Sequence, residues 1–255
     1  MTQDTPSAIR LAFDGAVARL TLDRPERHNA LTADDVRAFV NALDRVDDSD
    51  ARALIVTGSG DRTFCSGASL EEIESGALSG RIFSEATERL AHFRLPTVCA
   101  INGRIYGGGG ELALSCDFRL GTEATSLRVP ASQLGICYPP VGIERYGQRV
   151  GPGTAARILL AGEEMGGAEL YRVGFLTHFA NVGSVPTEAT SLAGHLARLA
   201  PLAVQAMKRI LNHAASGTLN VEEAAVWEAA CNASEDLREG LAAWREKRPP
   251  TFRGE

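Results

Sequence analysis

Over its first part the chain alternates short apolar runs with longer stretches in which apolar positions recur every three or four residues. Ala8 to Phe13 and Ala16 to Leu22 flank Asp14-Gly15 and predict a hairpin, because Asp-Gly readily adopts the positive φ of a two-residue turn. Continuous apolar or β-branched character near residues 53–57, 97–101 and 117–121 predicts buried strands. Thr32 stands before a helical stretch running to about Val46, and Asp35 three residues on completes a capping-box arrangement. A second helix, from about Ser79 to Phe93, separates the first two of those strands. Such β/α alternation predicts an α/β fold with a mostly parallel sheet covered by helices. From Thr187 onward the pattern is helical only, with breaks near Pro201 and Gly217, so four helices close the chain as a separate layer. No internal repeat, low-complexity tract or long linker interrupts it.

Within this pattern, Gly107-Gly108-Gly109-Gly110 lies between the strand Thr97-Val98-Cys99-Ala100-Ile101 and a segment, Glu111 to Ser115, compatible with a helix. Glycine costs backbone entropy, and four in a row suit a place where another group must approach the main chain closely. A glycine turn opening a helix presents unpaired N–H donors and the positive end of the helix dipole. Donors aimed at one point stabilise a developing oxyanion, and Glu111 beside them could move a proton. The same residues also suit a tight strand-to-helix turn ending in a solvated acid.

Composition narrows the classes. A net charge of −6 over 255 residues, with basic side chains scattered except at Lys247-Arg248, gives no reason to expect nucleic acid or an anionic membrane. No apolar stretch approaches the ~20 residues that cross a bilayer, and Met1-Thr2-Gln3-Asp4-Thr5 lacks the basic and apolar regions of a signal peptide. The five cysteines lie far apart without CxxC spacing, which argues against zinc or a disulfide framework and for a reduced, cytoplasmic protein.

Four segments, in order and spacing, resemble the crotonase (enoyl-CoA hydratase/isomerase) superfamily. They are Leu22-Asp23-Arg24-Pro25-Glu26-Arg27-His28-Asn29-Ala30-Leu31, Thr63-Phe64-Cys65-Ser66-Gly67-Ala68-Ser69-Leu70, the glycine run, and Val129-Pro130-Ala131-Ser132-Gln133-Leu134-Gly135. The ending Glu246-Lys247-Arg248-Pro249-Pro250-Thr251-Phe252 extends the resemblance over nearly the whole chain. It implies a ββα spiral core over residues 1–186 holding an acyl-CoA site. Residues 187–255 then form a C-terminal helical region that serves trimer assembly and covers the coenzyme.

By this resemblance the backbone N–H groups of Ala68 and Gly108 form the oxyanion hole, and Glu111 is one of the family's two catalytic glutamates. The second falls at Ala131, a departure that disfavours a two-glutamate hydratase mechanism, because a methyl group can neither hold nor deprotonate water. Shifting a double bond needs only one carboxylate. Tyr138, in Gly135-Ile136-Cys137-Tyr138-Pro139-Pro140-Val141-Gly142-Ile143, is similar in placement to an active-site tyrosine of acyl-CoA decarboxylases of the superfamily, although Ala68 stands where those have histidine. Packing in the acyl pocket is the plainer role for Tyr138. Arg27, His28, Ser66 and Ala68 match positions that contact the nucleotide part of coenzyme A, and Lys247 and Phe252 match the segment closing over it, sometimes from a neighbouring subunit. Ser69 replaces a common Asp and would loosen its loop. Glu144, beside Arg145, reads as a surface or ion-paired residue, and His92, His178, His195 and His213 as structural.

The expectation is an acyl-CoA-processing enzyme of the hydratase/isomerase type, without metal or permanently bound cofactor, with a coenzyme A thioester as substrate and a homotrimer or dimer of trimers as its assembly. A decarboxylase of the same superfamily and a non-catalytic acyl-CoA-binding member are the alternatives.

Overall fold

The computed structural model describes residues 8–255, so the reading of Met1 to Thr5 lies outside the described residues. β1 (Ile9–Asp14) and β2 (Val17–Leu22) pair antiparallel around Gly15, as the hairpin pattern predicts. Alternate residues of β2, Ala18, Leu20 and Leu22, are fully buried, the period of two expected of a strand with one face on the core. A short 3-10 turn, Pro25–Arg27, leads to α1 (Ala33–Asp47). There the predicted capping box forms: Asp35 N–H donates to Thr32 Oγ1, and Thr32 N–H donates back to Asp35 Oδ2.

Three successive turns then repeat one plan. β3 (Ala53–Gly58) is followed by β4 (Thr63–Cys65), α2 (Leu70–Ser75) and α3 (Gly80–Ala91). β5 (Thr97–Ala100) is followed by β6 (Arg104–Tyr106) and α4 (Gly108–Leu114), and β7 (Phe118–Gly121) by β8 (Ser126–Arg128) and α5 (Pro140–Leu159). Each turn sends its first strand to one sheet and its second to another. After β9 (Met165–Gly166), α6 (Gly167–Arg172) and β10 (His178–Phe179), the sheets are complete, with orders β1-β2-β3-β5-β7-β10 and β4-β6-β8-β9. This is the ββα spiral that the resemblance implies. Apolar patterning showed only one of its two sheets, because β4, β6 and β8 span three residues each and carry no measurable period.

The chain ends in α7 (Val185–Ala197), α8 (Pro201–Ala215), α9 (Val221–Ala233) and α10 (Glu235–Glu246), the four helices expected. α7 lies on the larger sheet, where Ala189 and Ala193 let it approach Ile55, Val98 and Leu120. The opposite face of that sheet packs against Phe39, Leu43, Phe83, Leu90 and Leu112, from α1, α3 and α4. α8, α9 and α10 leave Met207, Leu211, Val221, Val226 and Trp244 largely exposed. Among the described residues no helix is long and apolar enough to cross a membrane.

One contact places the second strand of the first turn against the helix of the second. A methyl group on Gly67 would lie 2.4 Å from Gly108 N, and one on Gly109 would lie 2.2 Å from Cys65 O. The loop after β4 and the first turn of α4 therefore touch backbone to backbone, an approach that any side chain would prevent. Gly107, with φ of 46°, supplies the left-handed bend into α4.

Two outcomes follow from this packing. Asp35 is buried, and besides Thr32 it binds Ala8 N–H and the Arg24 guanidinium, joining the hairpin to α1. Burial alone would raise its carboxyl pKa, but the hydrogen bonds from Thr32, Arg24 and Ala8 together hold it below the ordinary 3.8. Asp35→Ala should cost about 3 kcal/mol in urea unfolding at neutral pH, because it strands a half-desolvated arginine. In wild type that contribution is complete above pH 3.8 and fades as pH falls through the lower folded-state value. An unchanged urea midpoint for the variant would contradict this. Gly109→Ala should lose ~1–3 kcal/mol or more by overpacking. Gly147→Ala, in α5 with nothing within 4 Å of the added methyl, should be neutral or gain ~0.5–1 kcal/mol. Equal melting temperatures for the two variants would show that backbone contact does not dictate the glycines.

Candidate active site

A cavity of about 790 Å³ opens beyond the carboxyl ends of the strands. Its walls are the segments that directly follow β2 (Arg24, Arg27), β4 (Ser66, Ala68), β6 (Gly107, Gly108) and β8 (Pro130, Ala131). Ligand sites of open α/β sheets lie at that end, where the connecting loops converge.

Backbone accounting shows what the two glycine-containing loops offer. In the first, Ser66 N–H donates to His28 O, Gly67 N–H to Cys65 Sγ and Ser69 N–H to Leu31 O. Leu31 and Ala68 form a single parallel bridge, whose register turns the Ala68 N–H to the opposite side. In the second, Gly107 N–H donates to Arg128 O and Gly110 N–H to Gly107 O. Among the described residues neither Ala68 N–H nor Gly108 N–H has an acceptor, and both residues line the cavity. Gly108 begins α4, so its N–H also carries the positive end of that short helix.

Glu111 stands in the first turn of the same helix, 1% exposed. Its Oε1 accepts from Thr87 Oγ1 at 2.7 Å and from Arg145 Nη1 at 3.3 Å. Arg145, also buried, turns its other guanidinium nitrogen to Glu88. Burial raises the Glu111 pKa; Thr87 and Arg145 oppose that rise and Glu88 adds to it, and the balance stays above the ordinary carboxylate value. A methyl group on Gly142 would sit 2.6 Å from Glu111 Oε2, so the carboxylate occupies space that only glycine leaves open.

Ala131 opens a 3-10 turn, Ala131–Leu134, and lines the cavity together with Glu111. Tyr138 lines it too. Among the described residues its buried hydroxyl has no hydrogen-bond partner, nor has that of Tyr146, and the two rings meet edge to face at 6.3 Å. Burial pushes both phenols well above their usual range, so each stays neutral and able to donate.

The predicted residues thus divide. Ser66, Ala68, Gly108, Glu111, Ala131 and Tyr138 share the cavity, and Arg27 stands at its edge, paired with Glu71 across an exposed 2.7 Å contact. Exposed pairs of this kind are worth ~0–1 kcal/mol, so Arg27 is free to exchange Glu71 for another anion. His28 is absent from the lining, and its Nδ1 meets Thr63 Oγ1 at 2.9 Å. Lys247 caps the end of α10, and the Phe252 carbonyl accepts from Arg52, which enters β3 at the end away from the cavity. Ser69 is buried and precedes α2 without a side-chain capping bond. Glu144 is exposed and accepts from Gln148. Among the described residues no group of three or more His, Cys, Asp or Glu is placed to hold a metal ion.

Thr87, Gly142 and Arg145 escaped sequence reasoning. A signal existed for two of them: Thr87 sits in the apolar stripe of α3 beside Phe83, Ala86 and Leu90, and Arg145 shares the buried face of α5 with Tyr146. A polar residue inside an apolar stripe calls for a buried partner.

Known proteins share this chain's sequence and fold. The family model described as enoyl-CoA hydratase/isomerase matches residues 12–255. A crotonyl-CoA hydratase of Syntrophomonas wolfei is 32% identical over 96% of this chain and 97% of its own. A carnitinyl-CoA dehydratase of Proteus mirabilis is likewise 32% identical, over 97% and 98%. The crystal structure of an enoyl-CoA hydratase/carnithine racemase from Magnetospirillum magneticum superposes with a TM-score of 0.92 at 28% identity, covering 98% of this chain and 97% of that one. With its spiral core and the match to all but its first residues, the chain belongs to the enoyl-CoA hydratase/isomerase family of the crotonase superfamily.

Proposed function

We propose that this family member processes enoyl-CoA thioesters through one carboxylate, with Ala68 N–H and Gly108 N–H binding the thioester oxygen and Glu111 moving the proton. The observation that carries the reading is the convergence, in one cavity, of two backbone donors without acceptors and a buried carboxylate of raised proton affinity. In a 3-enoyl thioester, the Glu111 carboxylate takes a proton from the α-carbon and the electron pair delocalises onto the thioester oxygen. Return of the proton to the γ-carbon yields the conjugated 2-enoyl thioester, and Glu111 ends as it began. Hydration would need a second group to hold water, and Ala131 is a methyl.

The coenzyme's phosphates would meet Arg27, with Ser66 and Ala68 offering backbone groups to its adenine. Lys247 and Phe252 would come from a neighbouring copy. The exposed apolar side chains of α8–α10 support assembly as a homotrimer or dimer of trimers, and the scattered cysteines support a cytoplasmic setting.

One observation favours a second reading. Among the described residues the Tyr138 hydroxyl has no hydrogen-bond partner, and a malonyl-type thioester would bring a carboxylate to it. Loss of CO2 from that substrate leaves its electron pair as a thioester enolate, with negative charge on the same thioester oxygen.

The test follows absorbance of the conjugated thioester with 3-enoyl-CoA and crotonyl-CoA, and CO2 release with malonyl-type thioesters. Glu111→Gln should lower isomerisation by ~100-fold or more while coenzyme A still binds. Wild-type rates in folded Glu111→Gln would discard the one-carboxylate mechanism. Turnover of malonyl-type substrates alone, lost in Tyr138→Phe, would select decarboxylation, and binding without any turnover a non-catalytic member. Ala131→Glu should raise hydration of crotonyl-CoA relative to isomerisation. An unchanged ratio in the folded variant would show that Ala131 does not mark the missing acid.

A further inference from the structure

The two oxygens of Glu111 have unlike surroundings. Oε1 takes both hydrogen bonds, from Thr87 on α3 and from Arg145 on α5, whereas Oε2 takes none among the described residues and lies against Gly142, in a side chain that lines the cavity. Arg145 is itself held from the far side by Glu88, one residue beyond Thr87 on α3. Adjacent residues of one helix thus grip the carboxylate twice, Thr87 directly and Glu88 through the guanidinium. A fork with two N–H arms can hold two carboxylates in fixed directions, which an ammonium cannot do.

We infer that Arg145, anchored by Glu88, is a positioning residue that clamps Oε1 of Glu111 and leaves Oε2 as the single atom that exchanges protons with the substrate. The inference rests on the reading of Glu111 as the acid/base. A freely rotating carboxylate would present either oxygen and spend part of its time turned away, and fixing it removes that loss. The clamp also sets a charge balance. The groups facing Glu111 are Thr87 and Glu88 from α3, Arg145 and Tyr146 from α5, and Tyr138 from the segment before α5. His92 adds a further contact to Glu88 at 3.9 Å. Both phenols are neutral, so Arg145 and Glu88 are the two charges that act on the carboxylate, and they act in opposite senses.

That opposition separates a positioning role from a merely structural one. Removing the cation in Arg145→Met leaves Glu111 buried without its counter-charge, so its proton is held more tightly. The ascending limb of the kcat/KM profile, which reports the free base, should move to higher pH by about one pH unit or more. In Glu88→Gln the opposing anion is gone and the guanidinium is no longer shared, so the limb should move to lower pH. Arg145→Met should also lose ~10-fold or more in kcat with KM little changed, and Arg145→Lys should recover the pH position better than the rate. Titration of the Glu111 side-chain carboxyl by 13C NMR, assigned by its absence in Glu111→Gln, reads the same displacement without turnover. Opposite displacements in the two variants are the expected result. Displacement in one common direction, or none, overturns the clamp. Should Arg145→Met fail to fold, Glu88→Gln, altered at a part-exposed residue, decides alone by the sign of its displacement. If Glu111→Gln keeps full turnover, the acid/base reading falls and takes the role of Oε2 with it. If that variant is inactive while the carboxyl titration is unmoved by the other two, only the clamp is lost.

Discussion

The backbone contact between the loop after β4 and the start of α4 is the constraint on which the rest of the structure depends. Gly67 meets Gly108, and Gly109 meets the carbonyl of Cys65, at separations no Cβ would permit. That contact ties one turn of the spiral to the next and sets the depth of α4 in the core. Everything proposed for the site inherits its position from there: the Gly108 N–H is the first donor of α4, and Glu111 stands in the first turn of the same helix. Short helices have little stability of their own, and this one is held by the buried neighbours of Leu112, Ala113 and Leu114. Rigid backbone donors suit a charge that appears only transiently, because they need not reorganise when it forms.

Around that helix the protein keeps a carboxylate almost wholly out of water, and burial outweighs the counter-charge supplied to it. Arg145 alone would pull the Glu111 pKa down, but the same guanidinium is shared with Glu88, and burial dominates the balance. A fully paired acid would be a poor base, and an unpaired buried one would stay protonated. The arrangement lies between these limits. Ala131 presents a methyl rather than a carboxylate to the same cavity.

The α/β class, the hairpin, the Thr32 capping box, the three central strands and the four closing helices were legible because each rests on local rules of period, turn chemistry and capping. The second sheet was not legible from period, since three-residue strands are defined by their partners. Ser66, Ala68, Gly108, Glu111 and Tyr138 could be named from motifs, and the fold gathers them. Thr87 and Arg145 could not, because their importance comes from facing Glu111 across 24 and 34 residues of chain.

By itself the sequence determined the local conformations and the kinds of chemistry available: glycines that permit close approach, one carboxylate beside them, and a methyl in place of another acid. Only the tertiary structure decided which oxygen of Glu111 is gripped, that Gly142 makes room for it, and that His28, Lys247 and Phe252 lie outside the cavity lining of their own chain. The physical reason is range. Turn and capping energies act between residues a few positions apart, whereas burial, ion pairing and pKa depend on which distant segments the packed core brings within hydrogen-bond reach.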